Sequence, residues 1–95
     1  MTLRRDSLNL TPFMRRVLDT LRENETATHA QIFKALYGDI LIDPEHESNR
    51  VKIHIWRLRR AVKPYGVTVI SKRTHGYMLT DESRAIIASM MREAA

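Results

Sequence analysis

Apolar residues recur along this chain at the three- and four-residue spacing that is typical of amphipathic helices. The pattern predicts four helices, at about 12–24, 29–37, 46–63 and 82–93. Thr11 and Pro12 predict the start of the first helix, because threonine caps a first turn and proline needs no amide hydrogen there. Thr28 and Gln31 match a capping box before the second helix, and Pro64 ends the third.

Two short runs of β-branched and apolar residues follow the third helix. Residues 67–71 and 77–80 predict strands, and the residues between them predict a turn. We expect Gly76 to adopt a positive φ in that turn. The predicted fold class is mainly α with a small β-hairpin (α+β), built as a three-helix core plus a C-terminal helix.

The third predicted helix has two different sides. Val51, Ile55, Leu58 and Val62 form a narrow apolar stripe, which we expect to face the core. His54 lies near the edge of that stripe, where we expect it to pack or to contact phosphate and not to bind a metal. The other side carries cationic, amide and aromatic groups, namely Asn49, Lys52, Ile53, Trp56, Arg57, Arg59, Arg60 and Lys63.

Charge is distributed unevenly along the 95 residues. Residues 48–80 carry eight Lys and Arg residues and no Asp or Glu, whereas the rest of the chain carries eight basic and eleven acidic residues. The first part sums to +8 and the rest to −3, which gives the formal net charge of +5. A basic stripe on a mildly acidic body is typical of a nucleic-acid-binding protein, and an ordinary solvated face is the alternative.

The composition argues against several other classes of protein. The length fits one small domain, and the absence of cysteine excludes disulfides, a thiolate nucleophile and a Cys-based zinc site. No apolar run approaches about 18 residues, so we expect no membrane span. No apolar segment follows the charged residues Arg4, Arg5 and Asp6, so we expect no signal peptide and a cytoplasmic location. The histidines are scattered and no glycine-rich phosphate loop is present. We therefore expect no metal, no cofactor, no small-molecule ligand and no enzymatic activity.

Three helices followed by a hairpin, with a cationic third helix, is the element order of a winged helix-turn-helix domain. In such a domain the third helix lies in the major groove of DNA, and the hairpin, called the wing, reaches the backbone or the minor groove. Residues 1–80 form the predicted winged-helix domain, with the wing at 67–80. Residues 81–95 form a predicted C-terminal helical extension.

Several segments resemble the C-terminal effector domain of OmpR/PhoB-type response regulators. They are Leu10-Thr11-Pro12 before the first helix, Ile32 and Leu36-Tyr37-Gly38-Asp39 at the end of the second, Val51 to Arg59 (VKIHIWRLR) in the third, and Gly76-Tyr77 in the wing. The resemblance covers about residues 8–80. It implies sequence-specific binding of double-stranded DNA and control of transcription, on a bacterial nucleoid or in the cytoplasm of a phage-infected host.

The resemblance also implies which residues contact DNA. In the third helix they are Asn49, Lys52, His54, Trp56, Arg57 and Arg59. In the wing they are Ser71, Arg73 and Tyr77, with Arg73 in the place of an arginine that enters the minor groove. Charge and position add further candidates, which are Arg50, Ile53, Arg60, Lys63 and Lys72.

The chain departs from the family at several positions. The family commonly has Arg where this chain has Asn49 and Trp56, and Asp where it has Lys52, so the operator sequence does not carry over. Its wing usually has a glycine where this chain has Thr74. The family also has a receiver domain and a four-stranded sheet before the first helix. We expect a stand-alone regulator that lacks a phosphoacceptor site, and a piece of a longer protein is the alternative.

Single side chains on the third helix have competing roles. Arg57 is a candidate for a bidentate contact with guanine, with phosphate or solvent as the alternative, and Asn49 for a contact with an adenine edge. Ile53 either touches a thymine methyl group or packs under the wing. Trp56 either packs against sugar and backbone or covers the wing as part of the core. The candidates for phosphate contacts are Lys52, Arg59, Arg60 and Lys63.

Two further segments are candidate protein contacts. The loop at 38–47 is where members of the family contact RNA polymerase or sigma factor, and an ordinary connector is the alternative. Its candidate residues are Asp39, Ile40, Ile42, Asp43 and Glu45. In the last helix a homodimer seam competes with packing back onto the domain. The residues of that seam are Ile86, Ile87, Met90 and Met91.

The leading hypothesis is therefore a DNA-binding transcription regulator. A protein-interaction module that binds polymerase or a host protein is the second hypothesis. A sequence-neutral architectural or DNA-packaging factor is the third. Discrimination between cognate and random duplexes separates the first hypothesis from the other two.

Overall fold

The computed structural model of this protein describes residues 10–72 and 76–94, with side chains up to residue 91 in the last helix. Within that part of the chain the fold is mainly α, with four helices and one antiparallel hairpin between the third and fourth. The elements are α1 (Pro12–Glu23), α2 (His29–Tyr37), α3 (Pro44–Val62), β1 (Val69–Lys72), β2 (Gly76–Leu79) and α4 (Asp81–Ala94). The predicted element order is confirmed.

Side-chain caps set the beginning of each helix. Thr11 Oγ1 accepts from the amide of Met14 at 3.2 Å before α1, and Thr28 forms a complete capping box before α2. The prediction that α3 begins at about residue 46 is wrong by two residues. The Asp43 carboxylate accepts from the amide of His46 at 3.0 Å, and a proline is favoured in the first turn behind such a cap.

The core lies where α1, α2 and α3 meet. The predicted inner stripe of α3 is confirmed, because Val51, Leu58 and Val62 are fully buried and Ile55 is 1% exposed. The residues that α1 and α2 contribute to the same cluster are Val17, Leu18, Leu21, Ile32, Phe33 and Leu36. Burial of one side of α3 leaves the opposite side as a surface.

The hairpin is attached to the turn between α1 and α2. The Ala27 amide donates to the Tyr77 carbonyl at 2.8 Å, and the Tyr77 amide donates to the Ala27 carbonyl at 2.9 Å. The neighbouring Gly76 has a φ of +123°, as predicted, and an added Cβ there would lie 2.1 Å from the Ala27 oxygen. The close approach of two backbones therefore requires glycine at this position.

The last helix packs against the domain. Ile87 is fully buried, and Ile86, Met90 and Met91 are half-buried against the same core. The prediction of a free homodimer seam is therefore wrong for Ile87, and the alternative of packing back onto the domain is the one observed. None of the described helices is long and apolar enough to cross a membrane.

Polar contacts also hold α4 in place. The Arg84 guanidinium donates to the carbonyls of Arg22, Asn24 and Glu25, at 3.1, 2.8 and 3.3 Å. These carbonyls lie in the last turn of α1 and just after it, where backbone acceptors lack partners within the helix. At the other side Ser83 Oγ accepts from the amide of Thr68 at 2.7 Å. The helix therefore joins the α1–α2 turn to the segment that leads into the hairpin.

Candidate nucleic-acid interface

A stripe of exposed residues runs along α3 on the side opposite the core. Its members are spaced by four, three and four residues, which at about 100° per residue places them on one line of the helix surface. They are Asn49, Ile53, Trp56 and Arg60, and each is exposed. The prediction that this side carries amide, apolar and cationic groups together is confirmed.

The exposed side of α3 carries positive charge without acidic partners. Five cations on and just after the helix are exposed, namely Arg50, Lys52, Arg57, Arg60 and Lys63. The ion pairs in the described part of the chain all lie elsewhere and join Arg15 and Arg22 to Asp19, Lys34 to Asp39, and His46 to Asp43. The free cations therefore make this surface an attractive site for a polyanion.

Acidic groups are confined to the beginning of α3. Asp43 caps the helix, and Glu45 and Glu47 lie in its first turn. Carboxylates are favourable there because they face the positive end of the helix dipole. The helix thus has acidic groups at its start and only cationic charge from Arg50 onward.

Two large apolar side chains project from this surface into solvent. Ile53 is 50% exposed and Trp56 is 56% exposed. Neither lies under the hairpin, so the alternatives that placed them in the core are wrong. The Arg60 guanidinium lies 4.8 Å from the centre of the Trp56 ring, a cation–π contact that restrains both side chains.

His54 is buried, and its ring is not available for the predicted contact with DNA. It is 8% exposed, and its Nε2 lies 2.7 Å from the Tyr37 hydroxyl. The edge of Phe13 also contacts the ring, with 5.3 Å between centroids. Burial, followed by the charges of Arg57 and Arg50, lowers the pKa of His54 below its usual 6.5. This residue is a packing histidine that joins α2 to α3.

The Arg59 side chain is hydrogen-bonded to the hairpin. Its guanidinium donates to the Val69 carbonyl from Nε at 3.1 Å and from Nη2 at 2.9 Å, and Nη2 also donates to Ser71 Oγ at 2.9 Å. The same group lies 5.8 Å from the centre of the Tyr77 ring. Arg59 and Ser71, both predicted to contact DNA, are thus hydrogen-bonded to each other, and this contact fixes the hairpin to α3.

Tyr77, another predicted DNA contact, is also buried. It is 5% exposed, and its ring packs edge-on against His29 at 5.2 Å. Burial raises the pKa of its phenol, and the nearby Arg59 partly opposes that shift. Lys72 is exposed at the end of β1, whereas Arg73 lies outside the described residues. Lys72 is the predicted wing cation that the structure places at the surface.

Sequence reasoning missed a groove beside this surface. It has a volume of about 350 Å³ and lies between the start of α1 and the middle of α3. Phe13 forms part of its wall and is 38% exposed, and the Arg16 guanidinium lies 5.7 Å from the centre of the Phe13 ring. The contact between Phe13 and Arg16 could have been predicted from the sequence, because residues three apart are neighbours on a helix surface.

The loop between α2 and α3 presents apolar residues to solvent. Ile40 is 58% exposed and Leu41 is 94% exposed, and Asp39 and Glu45 are exposed beside them. Ile42 instead packs partly against the core, and Asp43 is occupied as the α3 cap. Of the predicted protein-contact residues, Asp39, Ile40, Asp43 and Glu45 are exposed and Ile42 is half-buried. Leu41, which was not among the predicted contact residues, is the most exposed large apolar residue described.

The described residues contain no group of three or more His, Asp or Glu side chains that could hold a metal ion. A comparison with models of protein families, with curated proteins and with solved structures finds no significant match to this chain.

The geometry of α3 and its surroundings is therefore the basis for a functional proposal. The surface consists of Asn49, Arg50, Lys52, Ile53, Trp56, Arg57, Arg60, Lys63 and Lys72, and is called the α3 surface below.

Proposed function

We propose that this protein is a winged helix-turn-helix regulator of transcription that binds double-stranded DNA in a sequence-specific manner. In this proposal α2 and α3 form the helix-turn-helix pair, α3 lies in the major groove, and the β1–β2 hairpin is the wing. One observation carries the proposal. Five exposed cations without acidic partners surround Asn49, Ile53 and Trp56 on one side of a single helix.

The dimensions of a helix support this orientation. A B-DNA major groove is about 12 Å wide and admits one α-helix, so cations on both flanks of α3 can reach the two phosphate backbones. Lys52 and Lys63 lie on one flank of the exposed stripe, and Arg50 lies on the other. Phosphate contacts of this kind fix the position of the helix but carry no base information.

We assign base recognition to Asn49, which lies on the exposed stripe, and to Arg57, which lies between that stripe and Arg50. Arg57 is exposed and has no carboxylate partner among the described residues, so its guanidinium is free to bind guanine O6 and N7 together. Asn49 offers an amide that matches the N6 and N7 groups of adenine. Binding of this kind requires no cofactor and involves no chemical step.

Selection of bound duplexes from a random pool at about 150 mM salt tests the proposal. We expect one enriched motif, bound at least about 10³-fold more tightly than random duplex. Equal recovery of all sequences would instead indicate the sequence-neutral packaging factor. Absence of duplex binding at this salt concentration would remove DNA as the partner.

Two variants then separate base contacts from phosphate contacts. Arg57→Ala should weaken binding to the selected motif by about 1–3 kcal/mol and relax one base position. Lys63→Ala should weaken motif and random duplex by the same factor. Lys34→Ala is the matched control, because that lysine already pairs with Asp39 at 3.6 Å. If Arg57→Ala lowers affinity equally for all duplexes, Arg57 binds phosphate only.

A second role is favoured by one observation, the 94% exposure of Leu41 beside Ile40. We propose that this loop contacts a protein of the transcription machinery, and the family resemblance suggests RNA polymerase or sigma factor. Leu41→Ser should leave affinity for the DNA motif unchanged and reduce transcription from a promoter that carries it. An unchanged transcript level would identify the loop as an ordinary connector.

A further inference from the structure

The middle of the α3 surface is apolar, although its margins are cationic. Ile53 projects from the middle of the exposed stripe, about 200° around the helix from the buried Val51. Half of its side chain is exposed. Trp56, three residues later, extends the apolar area, while Lys52 and Arg57 lie to either side. Removal of this area from water would stabilise a complex with a ligand that is itself apolar at that point.

The edges of base pairs in the major groove offer one apolar group of this size, the C5-methyl group of a pyrimidine. Thymine carries it, and so does 5-methylcytosine, whereas the other groups that the bases present there are hydrogen-bond donors and acceptors. A side chain in the middle of the α3 surface faces base edges, because the cations on both flanks hold the phosphates at the margins of the groove.

We infer that Ile53 reads the methyl group of a thymine and determines specificity at that base pair. This inference rests on the proposed function. Asn49, one helical turn earlier on the same stripe, supports thymine over 5-methylcytosine, because its amide matches the adenine of an A·T pair. A symmetric contact with a second copy of the chain is disfavoured, since it would bring two sets of unpaired cations together.

The test replaces each thymine of the selected motif by deoxyuridine, one position at a time. This change removes only the methyl group and leaves base pairing intact. At one position we expect the affinity of the natural protein to fall about fourfold, which is the effect of one methyl group removed from water. Ile53→Ala should bind the thymine and uracil versions of that position equally well, with an unchanged melting temperature.

Lys52→Ala is the matched control, because Lys52 is exposed on the same surface and cationic. It should bind both versions more weakly and keep the fourfold ratio between them. The inference would be overturned if Ile53→Ala still binds the thymine version about fourfold more tightly than the uracil version. It would also be overturned if no uracil substitution changes the affinity of the natural protein. Full affinity for 5-methylcytosine at that position would overturn the choice of thymine. Failure of the proposed function is a separate result, because then no motif is selected.

Discussion

Arg57 and Arg59 stand two residues apart on α3 and have opposite surroundings. Arg59 donates three hydrogen bonds to the hairpin, whereas Arg57 is exposed and makes no ion pair among the described residues. A step of two residues turns a helix by about 200°, so neighbouring cations of one type face different parts of the molecule. Residue type alone therefore does not separate a structural arginine from one available to a ligand.

Substitution of these two arginines should affect stability differently. Arg59→Ala should lower the free energy of unfolding by about 1–3 kcal/mol, because the Val69 carbonyl loses charged hydrogen-bond donors. Arg57→Ala should change it by less than about 0.5 kcal/mol, as is usual at exposed positions. Urea denaturation of both variants measures the difference. Equal losses in the two variants would mean that the Arg59 contacts do not hold the hairpin.

His54 should make stability depend on pH. Its pKa is lowered in the folded state, chiefly by burial and then by Arg57 and Arg50, so the unfolded chain binds more protons at mildly acidic pH. The contribution is fully present above the unfolded pKa of about 6.5 and is lost as the pH falls through the folded value.

Denaturation at pH 7.5 and 5.5 measures this effect. The natural protein should lose more unfolding free energy between the two pH values than His54→Gln does. His46→Gln, which changes an exposed histidine, should retain the loss seen in the natural protein. An identical loss in His54→Gln would assign the pH dependence to other groups.

At the scale of elements, the contact between the hairpin and the α1–α2 turn depends on one glycine. Gly76→Ala should unfold the protein or lower its melting temperature by many degrees, since the new Cβ would meet the Ala27 oxygen at 2.1 Å. Gly38→Ala is the matched control. Gly38 has a positive φ of +76°, but an added Cβ there would meet no atom within 4 Å, so the substitution should cost about 1–3 kcal/mol from backbone strain alone. Circular dichroism melting compares the two variants. Similar losses of melting temperature would show that the positive φ, and not the contact with the Ala27 oxygen, makes glycine necessary at position 76.

The position of α4 leads to a second expectation at this scale. Ile87→Ala should lower the free energy of unfolding by about 2–5 kcal/mol, because it leaves a cavity in a fully buried site. Ile40→Ala removes the same atoms at a 58% exposed position and should cost less than about 0.5 kcal/mol. A change of oligomeric state on sedimentation, with unchanged stability, would restore the homodimer seam.

At the scale of the whole molecule, regular spacing predicted the helices and the buried stripe of α3, and residue type predicted the caps of α1 and α2. It did not predict that the hairpin would pair with Ala27, because that contact joins segments about fifty residues apart in the chain. The family resemblance placed Tyr77 and His54 among the DNA contacts, and the local pattern could not show that both are buried. Their burial depends on Ala27, His29, Tyr37 and Phe13, which belong to other elements, so local pattern contains no information about it.

Helix geometry determines which side chains of α3 are exposed, so this part of the candidate site could be predicted from the sequence. Asn49, Ile53, Trp56 and Arg60 share one line on the surface of α3 because they share a spacing. The role of Arg59 was not predictable, since its acceptors lie on β1, ten and twelve residues further along the chain. Prediction therefore succeeded on one helix and failed where a second element contributes the partner.

Uneven charge over the whole molecule should make DNA binding depend strongly on salt. The exposed cations of α3 and Lys72 can neutralise about four to six phosphates, so the logarithm of the affinity should fall against the logarithm of salt with a slope of about −4 to −5. Fluorescence anisotropy between about 50 and 200 mM salt measures the slope.

Removal of two flanking cations should change that slope by a known amount. The double variant Lys52→Ala and Lys63→Ala should reduce its magnitude by about 2, because each lysine contributes about one released counterion. Lys34→Ala should leave it unchanged, since the Lys34 ammonium lies 3.6 Å from the Asp39 carboxylate and its charge is already matched. A slope flatter than about −1 in the natural protein would contradict a phosphate-binding role for α3. Equal slopes for the double variant and Lys34→Ala would place the DNA on another face of the molecule.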